Sequence, residues 1–352
     1  MIEPSLQAET DKLARAWMQH DGEMLRDYLV AGVEDPRLNL QSILSRHFLA
    51  RAITADRYVA LMEAEYHFAA VMNWLTALTG RLGDATELEL VQYALRRGAD
   101  NAEGIEIPGF VVQTFAALPA TAGKMTIPNY IESFLSGTRL VKGQARLHRP
   151  SLETFRKPWR KALAKATPRP QPSTLNSQPL SVLEPACGSA NDYRFLHDYG
   201  LARQVDYTGI DLCAKNIANA RALFPGVNFQ VGNVFEIAAP DKAYDLCFVH
   251  DLFEHLSLAG MESAVKEVCR VTRQGLCVGF FNMDETRDHQ VCPVDDYHWN
   301  RLSMGRMKEL FAECGFAARV VHIGAFLRQQ MGCDQTHNPY AYTFLLHAAQ
   351  PG

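Results

Sequence analysis

The sequence predicts an α/β fold, a mainly parallel sheet covered by helices on both faces and preceded by an all-α domain. Three observations predict it. From residue 181 onward, short β-rich runs alternate with helical stretches. Residues 163–180 are rich in Pro, Ser and Gln, the composition of an exposed linker. Before that linker, about 160 residues carry apolar stripes at helical spacing. The domains expected are therefore 1–162, helical, and 181–352, α/β, joined by 163–180.

The helical elements follow in order. Leu6, Leu13, Trp17, Leu25 and Leu29 recur near helical spacing, and Asp35-Pro36 marks a turn. Leu40, Ile43, Leu44 and Phe48 form a second stripe. Thr54 suits the N-cap of a long helix ending at Gly80. Thr86-Glu87-Leu88-Glu89 reads as a capping box for a helix that stops near Gly98. Pro108 and Pro128 each stand where proline is tolerated, at a first helical turn.

After the linker, strands are expected at 181–184, 206–211, 227–231, 244–249, 275–282, 317–323 and 340–348. Helices are expected from about Asn191, then at 214–223, 261–272 and 303–314. Alternation of this kind implies right-handed crossovers and parallel pairing. The last two strands leave no room for a helix between them, so they are expected to pair antiparallel through a long loop.

Composition narrows the function. Of 352 residues, 47% are apolar and 21% charged, which excludes general disorder. The net charge of −4 gives no whole-chain reason to expect nucleic acid. No signal-peptide pattern opens the chain, and Tyr66 to Thr79, the longest uncharged helical stretch, is too short to span a bilayer. A soluble, cytoplasmic protein without membrane partners is the expectation. All eight cysteines lie between Cys187 and Cys333, mostly inside apolar runs and without a Cys-x-x-Cys pair. They read as buried thiols of a reducing compartment rather than zinc ligands. No metal is expected, since the spacings of His289, Cys292, His298, Cys314, Cys333 and His337 are irregular.

The informative segment runs from Val182 to Asp192, Val-Leu-Glu-Pro-Ala-Cys-Gly-Ser-Ala-Asn-Asp. A buried strand ends in an acid, and a loop of small residues leads into a helix, so a ligand can approach the backbone closely. Asp211 then falls at the end of the next strand, 23 residues past Gly188. That spacing suits a carboxylate accepting from two ribose hydroxyls. Together these features indicate an adenosine-containing ligand.

From residue 180 to about 350 the sequence resembles the class I S-adenosylmethionine-dependent methyltransferases. Val182 to Ala190 resembles that family's first motif, with Ala186 and Ala190 where glycines flank Gly188. Tyr207-Thr-Gly-Ile-Asp211 resembles the second, Gly232-Asn233-Val234 the third, Tyr244 to Leu256 the fourth, and Glu267 to Gly275 the turn before the fifth strand. The resemblance implies a Rossmann-like, seven-stranded sheet with the last two strands antiparallel, and S-adenosylmethionine as cofactor. It puts Glu184, Ala186 and Gly188 near the methionine moiety and Asp211 with Leu212 at the ribose. Asn233 and Val234 fall by the adenine, and His250 below the sulfonium.

Methyl transfer needs an aligned acceptor and, for a hydroxyl or thiol, removal of its proton. His250, Asp251 and His255, after the fourth strand, are the catalytic candidates. Asn282, Tyr297, His298 and Trp299, after the fifth, are candidates for the acceptor pocket. The base-methylating Asn/Asp-Pro-Pro-Tyr/Phe element is missing after the fourth strand, where the chain reads His250-Asp-Leu-Phe. A small-molecule acceptor methylated at oxygen, sulfur or nitrogen is therefore the first reading. RNA or protein methylation is the second, with residues 139–169 (ten Lys/Arg against Glu153) as the docking surface. The third is a catalytically silent protein that keeps the fold for binding or assembly. The helical domain is expected to cap the acceptor site or to build a homodimer interface.

Overall fold

A computed structural model describes residues 2–26, 40–53, 57–82, 85–114, 138–141, 144–147, 179–198 and 200–349. Thr54, Pro128, the 163–180 linker except its last two residues, and most of the basic 139–169 segment lie outside them.

The centre is a seven-stranded sheet. Its strands are β1 (Leu180–Pro185), β2 (Val205–Asp211), β3 (Asn228–Val231), β4 (Tyr244–His250), β5 (Thr272–Phe280), β6 (Phe316–His322) and β7 (Tyr342–Ala348). Their spatial order is β6-β7-β5-β4-β1-β2-β3. β1 to β5 pair in parallel, and β7 runs antiparallel to both β5 and β6. Strand order therefore reverses between β1 and β4, and ligands of open α/β sheets bind at the carboxyl ends of strands at such a switch point. Val182, Leu183, Cys247 and Val249 on those two strands are essentially inaccessible, as expected of strands covered on both faces.

Helices α5 (Asn191–Asp198), α6 (Ala214–Leu223), α7 (Leu258–Val271) and α8 (Met304–Glu313) complete the α/β unit. Ser257 caps α7 by accepting from the Gly260 N–H, and Ser303 caps α8 by accepting from the Arg306 N–H. One expectation for this unit fails. A nine-residue helix, α9 (Ile323–Met331), stands between β6 and β7. Its ends explain it. The His322 side chain accepts from the Ala325 N–H, and Gly332 closes the helix in the left-handed region at φ 66°. The helix fits because β6 passes into it without a loop, which span counting did not allow for.

The N-terminal part contributes α1 (Pro4–Met18), α2 (Leu40–Ile53), α3 (Arg57–Thr79) and α4 (Ala85–Arg96). It is not helix throughout, because two short hairpins join them. Asn101–Ala102 pairs with Ile105–Glu106, and Thr138–Val141 pairs with Gln144–Leu147. Glu103 and Gly104 carry φ of 48° and 92°, so the first hairpin turns on two left-handed residues, which favours the twist of paired strands. Helix α2 lies directly on the sheet. A Cβ on Gly279 of β5 would sit 2.8 Å from Gln41, and one on Gly275 2.9 Å from Phe48, so glycines set this close approach. One apolar core includes Leu49, Met72 and Leu75 of the helices together with Val182, Phe195 and Phe248 of the α/β unit. No helix among the described residues is long and apolar enough to cross a membrane.

Candidate functional site

The site begins at the end of β1. Ala186, Gly188 and Ala190 all have φ in the left-handed region, at 56°, 55° and 68°. Every second residue of the loop is thus turned, and the two alanines hold a conformation that costs an L-residue about 1–2 kcal/mol. The Gly188 N–H donates to Asp211 Oδ2 at 3.0 Å. Asp211 Oδ1 accepts from the Cys213 N–H at 2.8 Å and from Asn216 Nδ2 at 3.3 Å. One carboxylate therefore ties the loop after β1 to the start of α6. Burial raises its pKa, and the bonds from Cys213, Asn216 and Gly188 oppose that rise. A carboxylate oxygen has two acceptor positions, so Oδ2 keeps one for a further donor.

Beyond Asp211, Leu212 and Val234 are partly accessible and Val231, at the end of β3, is 54% exposed. Helix α1 passes over this region. Asn233 Nδ2 donates to Thr10 Oγ1 at 2.9 Å, while its Oδ1 accepts from the Phe235 N–H. Glu9 accepts from the Ser257 N–H at 2.6 Å and the Ser257 hydroxyl at 2.5 Å. Lys215 Nζ donates to the carbonyls of Met18 and His20, both at 2.7 Å. The helix thus bridges the ends of β2, β3 and β4. Sequence reading gave α1 no particular role, because nothing in a helical stripe says which loops it will cross.

Under the end of β4 lies a buried ion pair. His250 Nδ1 meets Asp192 Oδ2 at 2.5 Å, and its Nε2 meets the Ser45 hydroxyl at 2.5 Å. Burial opposes the imidazolium, but Asp192, with Cys277, outweighs it and raises the His250 pKa. Burial likewise opposes ionisation of Asp192, but His250, Ser42 and Arg46 hold its pKa below the usual value. Both directions describe a charged pair. Glu184 is close by and accepts the Tyr207 hydroxyl. Burial raises its pKa and Asp192 adds to that, with Tyr207 and His250 opposing. Asp192 stands inside the motif quoted above, whereas Ser45 had no sequence signal at all.

The loop after β4 carries the remaining candidates. Asp251, at φ 50°, is exposed. Desolvation pushes its carboxyl up to about 6, with His250 opposing and Asp192 adding. Glu254 is fully buried and accepts from the Phe281 N–H at 2.8 Å, while its Oε2 has no partner among the described residues. Desolvation, with Asp251 adding, pushes it up to about 8. Glu254 lies inside Phe-Glu-His-Leu, but no spacing in the sequence marks it as a site residue. His255 Nδ1 donates to the His298 carbonyl at 3.1 Å, because a carbonyl can only accept. That fixes the tautomer and leaves Nε2 as the acceptor nitrogen. Burial lowers the His255 pKa, so the ring is neutral at pH 7.

His255, Phe281, Tyr297 and Trp299 form one aromatic group, with His255 centroids 5.2, 5.7 and 5.4 Å from the other three. Trp299 is 48% exposed. Asn282 and Asn300 are buried beneath it. Asn282 Nδ2 donates to the Asn300 carbonyl, and Asn300 Nδ2 donates to the Leu256 carbonyl. Of the acceptor-pocket candidates, Tyr297 and Trp299 thus present side chains, His298 contributes its carbonyl, and Asn282 supports the loop from below.

Residues 182–275 match the family model described as a methyltransferase domain. These residues form a methyltransferase domain. A probable S-adenosylmethionine-dependent methyltransferase of Mycolicibacterium smegmatis is 29% identical over 137 residues, which are 38% of this chain and 51% of that protein. The chain therefore spans about half the length of that curated relative. Among solved structures, the 1,6-didemethyltoxoflavin-N1-methyltransferase of Burkholderia thailandensis, with 1,6-didemethyltoxoflavin and S-adenosylhomocysteine bound, is similar at 13% identity. The match covers 49% of this chain and 72% of that one, with a TM-score of 0.38. An S-adenosylmethionine-dependent methyltransferase of Methanosarcina mazei matches at 16% identity over 50% of this chain and 95% of its own, also at 0.38. The family's cofactor is S-adenosylmethionine, and the residues of the methyltransferase domain fit its adenosine end. Asp211 Oδ2 retains an acceptor position for a ribose hydroxyl, and accessible Leu212, Val231 and Val234 offer apolar surface for a purine.

Proposed function

We propose that the chain transfers the methyl group of S-adenosylmethionine to a small-molecule acceptor, at oxygen, sulfur or nitrogen. The observation that carries this reading is the half-exposed aromatic group of His255, Phe281, Tyr297 and Trp299 at the carboxyl edge of the sheet. A flat or apolar acceptor gains burial against such a surface. The cofactor supplies a methyl on a sulfonium, already activated for displacement.

The chain's own residues align, enclose and deprotonate. Asp211 holds the ribose, Leu212, Asn233 and Val234 border the purine, and Glu184, Ala186 and Gly188 lie at the methionine end. His250 has both ring nitrogens engaged, so it orients Asp192 and α2 rather than accepting a proton. For a hydroxyl or thiol acceptor the proton goes to His255 Nε2, the nitrogen left free by its bond to His298, or to Asp251. Helix α1 excludes water from the cofactor side.

Calorimetry with S-adenosylhomocysteine tests the reading. Wild type is expected to bind, and Asp211→Ala to bind at least about tenfold more weakly, the loss of one charge-assisted hydrogen bond. No binding by wild type, or equal binding by the variant, overturns it. A panel of small phenols, thiols and N-heterocycles with labelled S-adenosylmethionine then identifies the acceptor.

A further inference from the structure

One buried carboxyl stands where the segments of the aromatic group meet, and the methyl-transfer reading gives it no role. Glu254 is 0% exposed and lies in the short turn Phe253–His255, one residue before His255. Its Oε1 accepts from the Phe281 N–H at 2.8 Å and, less closely, from the Asn282 N–H at 3.4 Å. Its backbone carbonyl accepts from the Asn300 N–H at 2.9 Å. One residue therefore grips the exit of β5 with its side chain and the Trp299 segment with its main chain. Buried amides brace the same frame. Asn282 Nδ2 donates to the Asn300 carbonyl at 3.0 Å, and Asn300 Oδ1 accepts from the Cys292 N–H at 3.0 Å. The Phe281 carbonyl accepts from Asn338 Nδ2 at 2.6 Å.

We propose that Glu254 is a positioning residue for the acceptor, holding Phe281 and Trp299 against His255 and so setting the surface on which the acceptor lies.

This role rests on the small-molecule reading of the aromatic group. The three rings come from three segments: His255 from the turn after β4, Phe281 from the exit of β5 and Trp299 from the loop beyond it. The Phe281 and Trp299 centroids stand 4.7 Å apart, and His255 is 5.2 and 5.4 Å from them. His255 follows Glu254 in the chain, Phe281 is bonded to its side chain, and Trp299 precedes Asn300, bonded to its carbonyl. Trp299 is 48% exposed, so burial alone does not fix its place. The bonds beneath it do. Burial raises the Glu254 pKa, with Asp251 adding, so the group is a neutral acid at pH 7. No charge is then stranded in the interior, and one oxygen serves both N–H groups. An acid one methylene shorter loses about 1.5 Å of reach and leaves those buried donors unpaired.

The test labels the full chain with 5-fluorotryptophan and assigns the Trp299 fluorine resonance with Trp299→Phe. That resonance senses the two neighbouring rings without any acceptor present. Glu254→Asp should shift or broaden it and leave the resonances of the other three tryptophans in place. Glu254→Gln, which keeps an acceptor oxygen at full length, should restore it. On any panel compound that wild type methylates, Glu254→Asp should lower kcat/KM by about 10- to 100-fold, the cost of an acceptor displaced by about 1 Å. Its affinity for S-adenosylhomocysteine should not change, and Glu254→Gln should recover most of the rate. An unmoved Trp299 resonance in Glu254→Asp overturns the proposal, as does methylation by that variant at the wild-type rate. Loss of all the dispersed resonances in Glu254→Asp also overturns it, since it marks a residue needed only for folding. A panel in which wild type methylates nothing counts against the small-molecule reading, and the fluorine resonances still decide whether Glu254 places the surface.

Discussion

Two alanines hold turns that glycine makes at no steric cost. Ala186 and Ala190 have φ of 56° and 68°, on either side of Gly188 at 55°. Replacing either with glycine should stabilise the fold by up to about 1 kcal/mol, the left-handed strain less the entropy glycine adds to the unfolded chain. Thermal unfolding of Ala186→Gly and Ala190→Gly checks this, and a lower Tm in both refutes the strain argument. His255 leads to the second residue-scale prediction. Its pKa is lowered by burial, so a base there is protonated only below the ordinary histidine range. The rate on a hydroxyl or thiol acceptor should be flat at neutral and higher pH and fall on the acid side. His255→Asn should lower kcat about 100-fold with little change in KM, the usual scale of general-base catalysis. If His255→Asn retains kcat and its acid limb, the proton goes elsewhere, with Asp251 next in line. The positions of Glu184 and Asp211 at strand ends were legible in the sequence because apolar runs and loop spacing mark them. Glu254 and Asn300 were not, because burial assigns their work and no spacing announces it.

At the scale of elements, one carboxylate joins α1 to the start of α7. Glu9 accepts two bonds from Ser257 at the N-terminus of α7, where the helix dipole also favours a negative charge. A Cβ on Gly260 would lie 2.6 Å from Glu9 Oε2. Gly260→Ala should therefore displace the Glu9 carboxylate and loosen α1 over the site. The expected outcome is about a tenfold faster release of S-adenosylhomocysteine by stopped flow, comparable to losing one charged hydrogen bond. Glu9→Ala should give the same change, and the two should not add, since both remove one interaction. Unchanged release in both variants refutes a lid role for α1. The strands were legible to within a few residues, because alternation and turn residues are local signals. Helix α9 was not, since its caps, His322 and Gly332, lie against a strand end and a short loop that span counting treats as one connection.

Across the whole molecule, composition divides what packing joins. The first 180 residues contain no cysteine and carry a net charge of +2, from 21 Lys/Arg against 19 Asp/Glu. The remainder carries −6, from 14 against 20. Yet Ser45 of α2 reaches His250 of β4, and Arg46 stacks over Phe195 at 3.9 Å. Arg46 also pairs with Glu65 of α3 at 3.0 Å, with both side chains under one-tenth exposed. Glu65→Ala leaves a buried guanidinium without this carboxylate and should cost about 3–5 kcal/mol. Urea unfolding checks it, and a loss below about 1 kcal/mol would show that solvent reaches the pair. Because α2 rests on both the pair and His250, the variant should also weaken S-adenosylhomocysteine binding. By itself the sequence determined the α/β alternation, the antiparallel close of the sheet, the small-residue loop after β1 and the place of Asp211 at the end of β2. These are signals of period, spacing and turn chemistry, read within one segment at a time. The tertiary structure decided that α1 crosses the cofactor edge, that His250 is held by Asp192 and Ser45, and that His255 joins an aromatic surface. Those partners stand tens to hundreds of residues apart, and only shared burial brings them to one place.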